Sequence, residues 1–374
     1  MIDKMIASCQ KLPTVSAEIA ETYTRSMDRL LDHVVDQLES NPHIKELIGQ
    51  NPLEVMRNKL RNHALFMSTV FSVNAFELLV HTVSRMYRMY NAKGFSYDYF
   101  PLELVSWQIA IHECLHNSDR KSELLRVYSW LVQHHEDFIK LSLLRGDLSF
   151  NVKPEADEIQ RVFLSLLLHG STQECITLAN NTIQTAHDLK FFYLDVISPA
   201  MYRVGQLWES NQVSVADEHV ATAIVGRLMA ALYPRFALLE TTKGKAIVSA
   251  GPNEFHELGA RMLADFMEMD GWDVTYLGAN TSPEKLLETV KSHKPFVINL
   301  SVATVFNLDG ARQMIQLINE DQKTKDIKIM VGGFAFNGMP DLWKAMGADG
   351  YAADAESALR VTDNWWIERN DAHA

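Results

Sequence analysis

The sequence has 374 residues, which corresponds to roughly two to three domains of about 150 residues each. It is 47% hydrophobic and 22% charged, a composition that excludes a disordered chain and a fibrous one. Its 35 Lys and Arg against 47 Asp and Glu give a net charge of −12, and no basic cluster offsets it, so direct binding of nucleic acid is disfavoured.

Cysteine usage and hydropathy indicate a cytoplasmic protein without a membrane partner. Cys9, Cys114 and Cys175 lie far apart with no CxxC pair, so neither a disulfide framework nor a zinc site is expected. No apolar run reaches the ~18 residues that a membrane-spanning helix needs. Residues 1–10 lack the pattern of a signal peptide.

Residues 1–150 have the periodicity of helices, because apolar residues recur at steps of three and four. Breaks are expected at Asn41–Pro42 and at Gly94–Pro101. A second helical region, residues 151–240, opens at Pro154 after a polar stretch at 145–153. The helices predicted for the first region are Met27–Leu47, Pro52–Phe71, Phe76–Tyr90, Tyr99–Leu115 and Lys121–Leu144.

From Lys245 the pattern changes to short apolar runs that alternate with helical stretches. Such alternation predicts a parallel sheet covered on both faces by helices, so residues 241–374 should form a doubly wound, Rossmann-like domain. The predicted strands are Ala246–Ala250, Val274–Leu277, Phe296–Val302, Ile327–Val331 and Tyr351–Ala353. The predicted helices are Leu258–Met269, Pro283–Ser292, Asp309–Asn319 and Met339–Met346.

The exit of the first predicted strand carries a candidate metal ligand. Ligands of an open α/β sheet bind outside the carboxyl ends of the strands, and His256 follows that strand closely. Imidazole suits transition metals, and Glu254 is placed to accept a hydrogen bond from its other ring nitrogen. Gly259 lets the backbone pass close to a bulky ligand. Taken alone, these residues also fit an ordinary structural loop.

Two later strands deliver Ser301 and the pair Gly332–Gly333 to the same edge. An acid-x-His-x-x-Gly segment followed by this Ser and this Gly-Gly resembles the cobalamin-binding domain of methionine synthase and corrinoid proteins, over Lys245–Leu359. In that family the His binds cobalt from the lower face, which makes His256 the implied axial ligand. The nucleotide tail then passes beside the Ser and over the Gly-Gly. Where this family usually has Asp, the chain has Glu254.

The helical region before this domain resembles the four-helix cap that covers the upper face of cobalamin. Trp208, nine residues, then Glu218–His219 is similar to the signature of adenosylcobalamin-dependent photoreceptors. The resemblance implies that Trp208 packs on the adenosyl group and that Glu218 binds it. In the best-known of these regulators a His follows the Trp and captures cobalt after photolysis. Here that residue is Glu209, so His219 or water would take the role.

The first 150 residues resemble a sensor globin in their order of helices. Tyr87 stands where those proteins have the haem-binding His, so His-ligated haem is not expected. Phycobiliproteins share the globin fold, so this region is also a candidate bilin site of a photocobilin. The residues placed to contact a bilin are Arg85, Tyr87, Arg88 and Trp107, each of which would otherwise be a surface charge or a core aromatic.

These resemblances imply a light sensor rather than an enzyme. Photolysis of adenosylcobalamin would repack the cap around Trp208 and act on the N-terminal domain, a homo-oligomer or a partner protein, with a bilin as an optional second chromophore. One alternative is a corrinoid protein that carries methyl groups for a methyltransferase, which would need no adenosyl pocket. Another is a sensor that binds haem in the same domain.

Overall fold

The computed structural model of the protein describes residues 1–115, 119–144, 154–236, 240–339 and 341–372. The chain divides into two compact units, residues 1–147 with 209–211 and residues 148–208 with 212–374. The predicted boundary at residue 150 and the polar stretch 145–153 lie outside the described residues. None of the helices in the described ranges combines the length and apolarity that crossing a membrane requires.

The first unit is helical throughout its described part. Its helices are α1 (Ile2–Cys9), α2 (Ala17–Arg25), α3 (Met27–Glu39), α4 (Ile44–Leu47), α5 (Leu53–Val73), α6 (Glu77–Ala92), α7 (Tyr99–Cys114), α8 (Lys121–Gln133) and α9 (His135–Leu143). The all-α prediction is confirmed for these residues, and the structure adds α1 and α2. It also divides the last predicted helix at His134, whose backbone leaves the helical region.

The end of α5 shows how a polar residue ends a helix in this unit. Asn74 follows the helix in the left-handed conformation, with φ of 54°, which Asn tolerates better than most residues. Its side-chain amide accepts from Val15 N at 2.6 Å and donates to Val15 O at 3.0 Å. The same residue therefore ends α5 and fixes the segment that leads into α2.

A helical layer, defined here as residues 154–235, precedes the sheet, and all of it except residues 209–211 belongs to the second unit. It comprises α10 (Pro154–Leu168), α11 (Thr172–Thr182), α12 (Ala186–Phe191), a π-helical segment (Phe192–Ile197), α13 (Ser198–Glu209), α14 (Val215–Leu232) and a 3₁₀ turn (Tyr233–Arg235). Thr185 with Asp188 and Ser214 with Asp217 form capping boxes that start α12 and α14. Because α12, the π segment and α13 are continuous, the layer contains four helical runs.

The rest of the second unit is a five-stranded parallel sheet with helices on it. Its elements are β1 (Lys245–Ala250), α15 (Leu258–Met269), β2 (Asp273–Gly278), α16 (Pro283–His293), β3 (Val297–Ser301), α17 (Leu308–Glu320), β4 (Lys328–Gly332), α18 (Leu342–Ala345), β5 (Gly350–Ala352) and α19 (Ala355–Asp371). Short 3₁₀ turns (Val305–Asn307 and Phe334–Phe336) follow β3 and β4. The five predicted strands are confirmed to within one residue at each end, whereas α19 was not predicted.

The strand order is β2-β1-β3-β4-β5, and every pair is parallel. After β1, the chain adds β2 along one edge of β1 and then adds β3 along the opposite edge of β1. The strand order therefore reverses between β1 and β3. An open α/β sheet binds its ligands at such a switch point, outside the carboxyl ends of the strands.

A single apolar core joins the helical layer to the sheet. It includes Phe163, Tyr193 and Val225 from the layer together with Val248 and Phe266 from the α/β part, all buried. β1 and β3 are buried along nearly their whole length, as expected for parallel strands that helices cover on both faces. This common core holds the layer against the α/β part of the same unit.

Candidate cofactor site

The switch point brings the predicted residues of three strands to one edge of the sheet. Ala250 at the end of β1 pairs with Ser301 at the end of β3, and Ser301 pairs with Gly332 of β4. A Cβ built at Gly259, at the start of α15, would lie 3.8 Å from Ser301 Oγ. The loop that contains His256 therefore leaves β1 directly beside the ends of β3 and β4.

Glu254 anchors this loop from below. Its side chain is fully buried, and Oε2 accepts hydrogen bonds from Ala303 N at 2.8 Å, Thr304 N at 3.0 Å and Asn307 Nδ2 at 3.1 Å. Oε1 accepts from the backbone N–H of His256 at 3.1 Å. The carboxylate thus ties the loop after β1 to the segment after β3.

These partners keep the buried carboxylate ionised. Burial by itself raises the pKa of Glu254, but the hydrogen bond and charge of His256, with the donors Thr304 N–H and Asn307 Nδ2, outweigh it and hold the pKa at about 2. The site therefore contains a fixed negative charge next to an imidazole.

His256 is oriented by that charge. Nδ1 lies 2.5 Å from Glu254 Oε1, while 61% of the histidine side chain is exposed at the edge of the sheet. A carboxylate that accepts a hydrogen bond from Nδ1–H fixes the tautomer in which Nε2 is unprotonated, and that is the form of imidazole that binds metals. The geometry is that of a carboxylate–histidine couple, and ligation of a metal ion by His256 stays a prediction.

Thr304 and Asn307 were missed in the sequence. Asn307 Nδ2 also donates to Asn253 O at 3.1 Å, so it fixes the histidine loop at two points. The available signal was their position just after the predicted third strand, at the edge where ligands bind. Their hydrogen bonds to Glu254 span about fifty residues and leave no local pattern.

The Gly332–Gly333 pair is required by the chain itself. Gly333 has φ of +98°, and a Cβ there would lie 2.4 Å from Val302 O. A Cβ at Gly332 would lie 2.8 Å from Ala352 O. Both contacts are closer than real side chains allow, so glycine is needed for the approach of neighbouring backbone. Passage of a nucleotide tail over this pair stays a prediction.

The residues predicted for the upper face lie on α13 and α14. Trp208 is a partly buried residue near the end of α13. On the same helix, the ring centroid of Tyr202 lies 5.5 Å from that of Phe334, the residue that follows the Gly-Gly pair. Glu218 Oε1 accepts from Thr222 Oγ1 at 2.7 Å, and its Oε2 lies 2.8 Å from Nδ1 of the exposed His219. Contact of Trp208, Glu218 or His219 with an adenosyl group stays a prediction.

In the first unit, the proposed bilin residues have other roles. Tyr87 is buried, its hydroxyl lies 3.0 Å from His135 Nδ1, and its ring stacks on Phe100 at 3.8 Å between centroids. Trp107 is fully buried. Arg88 Nε donates to Ser142 O at 2.9 Å.

Arg85, the remaining residue of this set, donates a hydrogen bond from Nε to Glu209 at 2.8 Å within the first unit. The space beside Tyr87 is small. The cavity that adjoins Tyr87 has a volume of about 20 Å³, which holds one water molecule, whereas sites for drug-sized ligands run from ~300 to 1,000 Å³. The structure gives the bilin prediction no support in the described residues.

A larger cavity of about 530 Å³ lies at the opposite edge of the sheet. It is lined by Pro295, Phe296, Asp326, Ile327, Lys328, Trp365, Glu368 and Arg369, which places it at the amino ends of β3 and β4. The carboxyl edge with Glu254 and His256 is the better candidate site, because it combines an imidazole held by a carboxylate with the position where open α/β sheets bind ligands. The volume of a cavity does not by itself indicate what the cavity binds.

Comparison with known proteins identifies similarity to B12 binding domains in the part of the chain that carries this site. Residues 244–360 match a family model described as a B12 binding domain, and residues 159–233 match a second model with the same description. Monomethylamine corrinoid protein 1 of Methanosarcina mazei is 26% identical over 220 residues, which is 55% of this chain and 97% of that protein. Dimethylamine corrinoid protein 3 of Methanosarcina acetivorans is 26% identical over 169 residues, which is 44% of this chain and 76% of that protein.

The fold comparison leads to the same region. The structure of the Methanosarcina barkeri monomethylamine corrinoid protein superposes with a TM-score of 0.50 at 19% identity, covering 55% of this chain and 97% of that one. The prediction of a cobalamin cofactor and of a Rossmann-like domain for it is confirmed. The light-sensor, adenosyl, globin-like and bilin predictions receive no support from these similarities.

Proposed function

We propose, from the two B12-binding domains within residues 159–360, that this chain is a corrinoid protein that carries methyl groups for a methyltransferase. The observation that carries the proposal is the buried Glu254 carboxylate, which holds the exposed His256 imidazole at the switch point of the sheet. Relatives named as methylamine corrinoid proteins favour this alternative over the light sensor.

The residues present fit a corrinoid. A corrin ring would bring its own nitrogen donors, so one protein ligand suffices, and His256 would supply it through Nε2. Cobalamin, when bound, supplies a cobalt atom that accepts and releases a methyl group. Glu254 holds the proton on Nδ1 and the ring in position. The chain itself acts as a carrier, and a separate methyltransferase performs the chemistry.

We assign the residues that hold the lower face of the corrinoid and its nucleotide tail to the α/β part. The set is Glu254, His256, Gly259, Ser301, Gly332 and Gly333. The helical layer covers the other side, since Tyr202 of α13 already packs beside the Gly-Gly pair. We also propose a division into residues 1–150, 151–240 and 241–374, with the first segment as an all-α domain. A methylated amine is the first methyl donor to test.

Replacing His256 with alanine tests the axial ligand. Methylcobalamin bound to the wild-type chain should show the spectrum of an imidazole-ligated cobalt, and the variant should show the base-off spectrum with at least tenfold weaker binding. His293→Ala is the control, because His293 is exposed on α16 and bonds only locally in the described contacts. An unchanged spectrum in His256→Ala would overturn the assignment.

Trp208→Ala separates the methyl carrier from the light sensor. The spacing of Trp208 and Glu218 is the observation that favours a sensor, and a sensor needs Trp208 for the adenosyl group alone. For a methyl carrier, the variant should change the Kd of methyl- and adenosylcobalamin by similar factors. The oligomeric state of the wild type should be the same in the dark and after green light. Selective loss of adenosylcobalamin binding, with light-dependent assembly, would favour the sensor instead.

A further inference from the structure

A buried carboxyl group lies between the helical layer and α15. Asp265 of α15 is 7% exposed, and Tyr193 Oη donates a hydrogen bond to its Oδ2 at 2.9 Å. Tyr193 is fully buried in the π-helical segment, and its ring stacks on Phe266 at 5.9 Å between centroids. π-helical segments are rare in proteins, and those that do occur are often found at functional sites. This polar pair therefore interrupts the apolar core that joins the two layers.

The elements around Asp265 present several titratable groups. On the same helix, Arg261 Nη1 donates a hydrogen bond to Gly226 O of α14 at 3.3 Å. The Glu268 carboxylate, also on α15, accepts a hydrogen bond from the Tyr233 hydroxyl. From the sheet and the loop before α15, the Tyr276 hydroxyl lies 3.3 Å from the Glu257 carboxylate, and from α12 the Lys190 ammonium lies 5.4 Å from the Phe266 ring. In the packed state, Asp265 is thus shielded from water, and it accepts a hydrogen bond from the neutral Tyr193 hydroxyl.

Burial controls the protonation of this carboxyl. It raises the pKa of Asp265 from 3.8 to about 7, although the Tyr193 hydroxyl and the Arg261 charge oppose the shift. If the helical layer moved away from α15, water would reach Asp265 and its pKa would return toward the ordinary value. The packed form therefore binds more protons than the open form between about pH 4 and 7.

We propose that Asp265 is a positioning residue whose protonated carboxyl docks the helical layer on α15, and whose ionisation opens the layer and speeds cofactor exchange. The cofactor part rests on the proposed function. α15 starts two residues after His256, so movement of the layer away from α15 would change the packing of the helix that follows the histidine loop.

The expected size of the effect follows from linkage. With a packed pKa of about 7 and an open value of 3.8, the opening equilibrium constant rises about tenfold between pH 6 and pH 8. The sign is fixed because raising the pH removes a proton that only the packed form still binds. An uncharged side chain at this position should make the constant independent of pH.

The first arm uses amide hydrogen exchange of the full chain without cofactor, at pH 6, 7 and 8, corrected for intrinsic exchange. Between pH 6 and pH 8, the opening equilibrium constant of amides in the π segment and α15 should rise about tenfold in the wild type. In Asp265→Asn the same constant should change by less than about twofold. Tyr233→Phe is the matched control, because it removes a comparable bond to Glu268 and should keep the tenfold dependence. A flat wild-type profile, or a tenfold rise in Asp265→Asn, would overturn the proposal.

If Asp265→Asn does not fold, Tyr193→Phe keeps the proposal testable. Loss of the Tyr193 donor removes a contact that lowers the pKa of Asp265, so the midpoint of the opening profile should move to higher pH. An unmoved midpoint would refute the role of the pair.

The second arm measures methylcobalamin release from the loaded chain at pH 6 and 8. The ratio of the wild-type rate to the Asp265→Asn rate should rise about tenfold, and the ratio cancels any titration of His256 common to both. A constant ratio, with pH-dependent opening in the first arm, would overturn the cofactor part of the proposal. Absence of cobalamin binding at either pH would contradict the proposed function and leave the opening result intact.

Discussion

Replacing Glu254 with leucine is expected to lower the free energy of unfolding of the second unit by about 3–5 kcal/mol and to prevent stable cobalamin binding. The carboxylate is fully buried and accepts from Ala303 N, Thr304 N and Asn307 Nδ2. Leucine has a similar volume but no acceptor, so these donors would lose their partner inside the protein. His256 would also lose the group that orients its ring. Urea unfolding and titration with methylcobalamin measure the two effects.

Glu254→Gln provides the matched control. The amide keeps one oxygen acceptor in the same place, so the variant should fold, while cobalamin affinity should fall by about 10–100-fold because the charge behind the imidazole is gone. A Glu254→Leu variant within 1 kcal/mol of the wild type would show that the network does not support the fold. Normal cobalamin affinity in Glu254→Gln would show that the charge does not assist ligation.

The low pKa of Glu254 adds a pH signature to this comparison. Because the folded pKa of about 2 is below the ordinary 4.5, its contribution to stability is complete above about pH 4.5 and is lost as the pH falls toward 2. Glu254→Gln should lack this part of the acid dependence. Equal acid profiles of the two proteins would contradict the assignment.

Replacing Lys59 with methionine is expected to destabilise the first unit by about 3–5 kcal/mol. Lys59 and Glu103 form an ion pair in which both side chains are 2% exposed. The ammonium also lies 5.2 Å from the centroids of the Tyr99 and Phe100 rings. Methionine fills the space of the lysine but leaves Glu103 as a buried charge without its counterion. Urea unfolding of the full chain, followed by a helical signal, measures the loss.

The double variant Lys59→Met/Glu103→Leu separates the charge from the packing. Removing both charges should restore most of the stability, because well-packed apolar residues often replace a buried ion pair at little net cost. A double variant that loses the sum of the two single effects would show no coupling between Lys59 and Glu103, which would contradict this account.

Much of the α/β part could be predicted from local pattern. Short apolar runs separated by helical stretches define a covered parallel sheet, and the strand after Lys245 ends just before the acid-x-His segment. A strand covered on both faces must be apolar along its whole length, which is visible in any single sequence. The place of His256 at the carboxyl edge follows from the same rule.

Elements without such contrast were harder to predict. α19 was missed because its sequence, Ala355–Asp371, is polar on most of its surface and buries few residues. α1 and α2 are short and amphipathic, and they precede the region where the helical pattern repeats clearly. In the first unit, Tyr87 and Trp107 look the same in the sequence whether they line a ligand or fill a core. Their burial, and the small cavity beside Tyr87, favour the core role.

The sequence by itself therefore determined the succession of strands and helices, the edge of the sheet that carries His256 and the cobalamin resemblance, because each follows from short motifs and periodic patterns that are visible along the chain. The tertiary structure alone decided that Thr304 and Asn307 hold Glu254, that Gly333 is required by Val302, and that Asp265 meets Tyr193. Those contacts join residues about 30 to 70 positions apart. The backbone must fold before such groups approach, and periodicity records only which face of an element is buried.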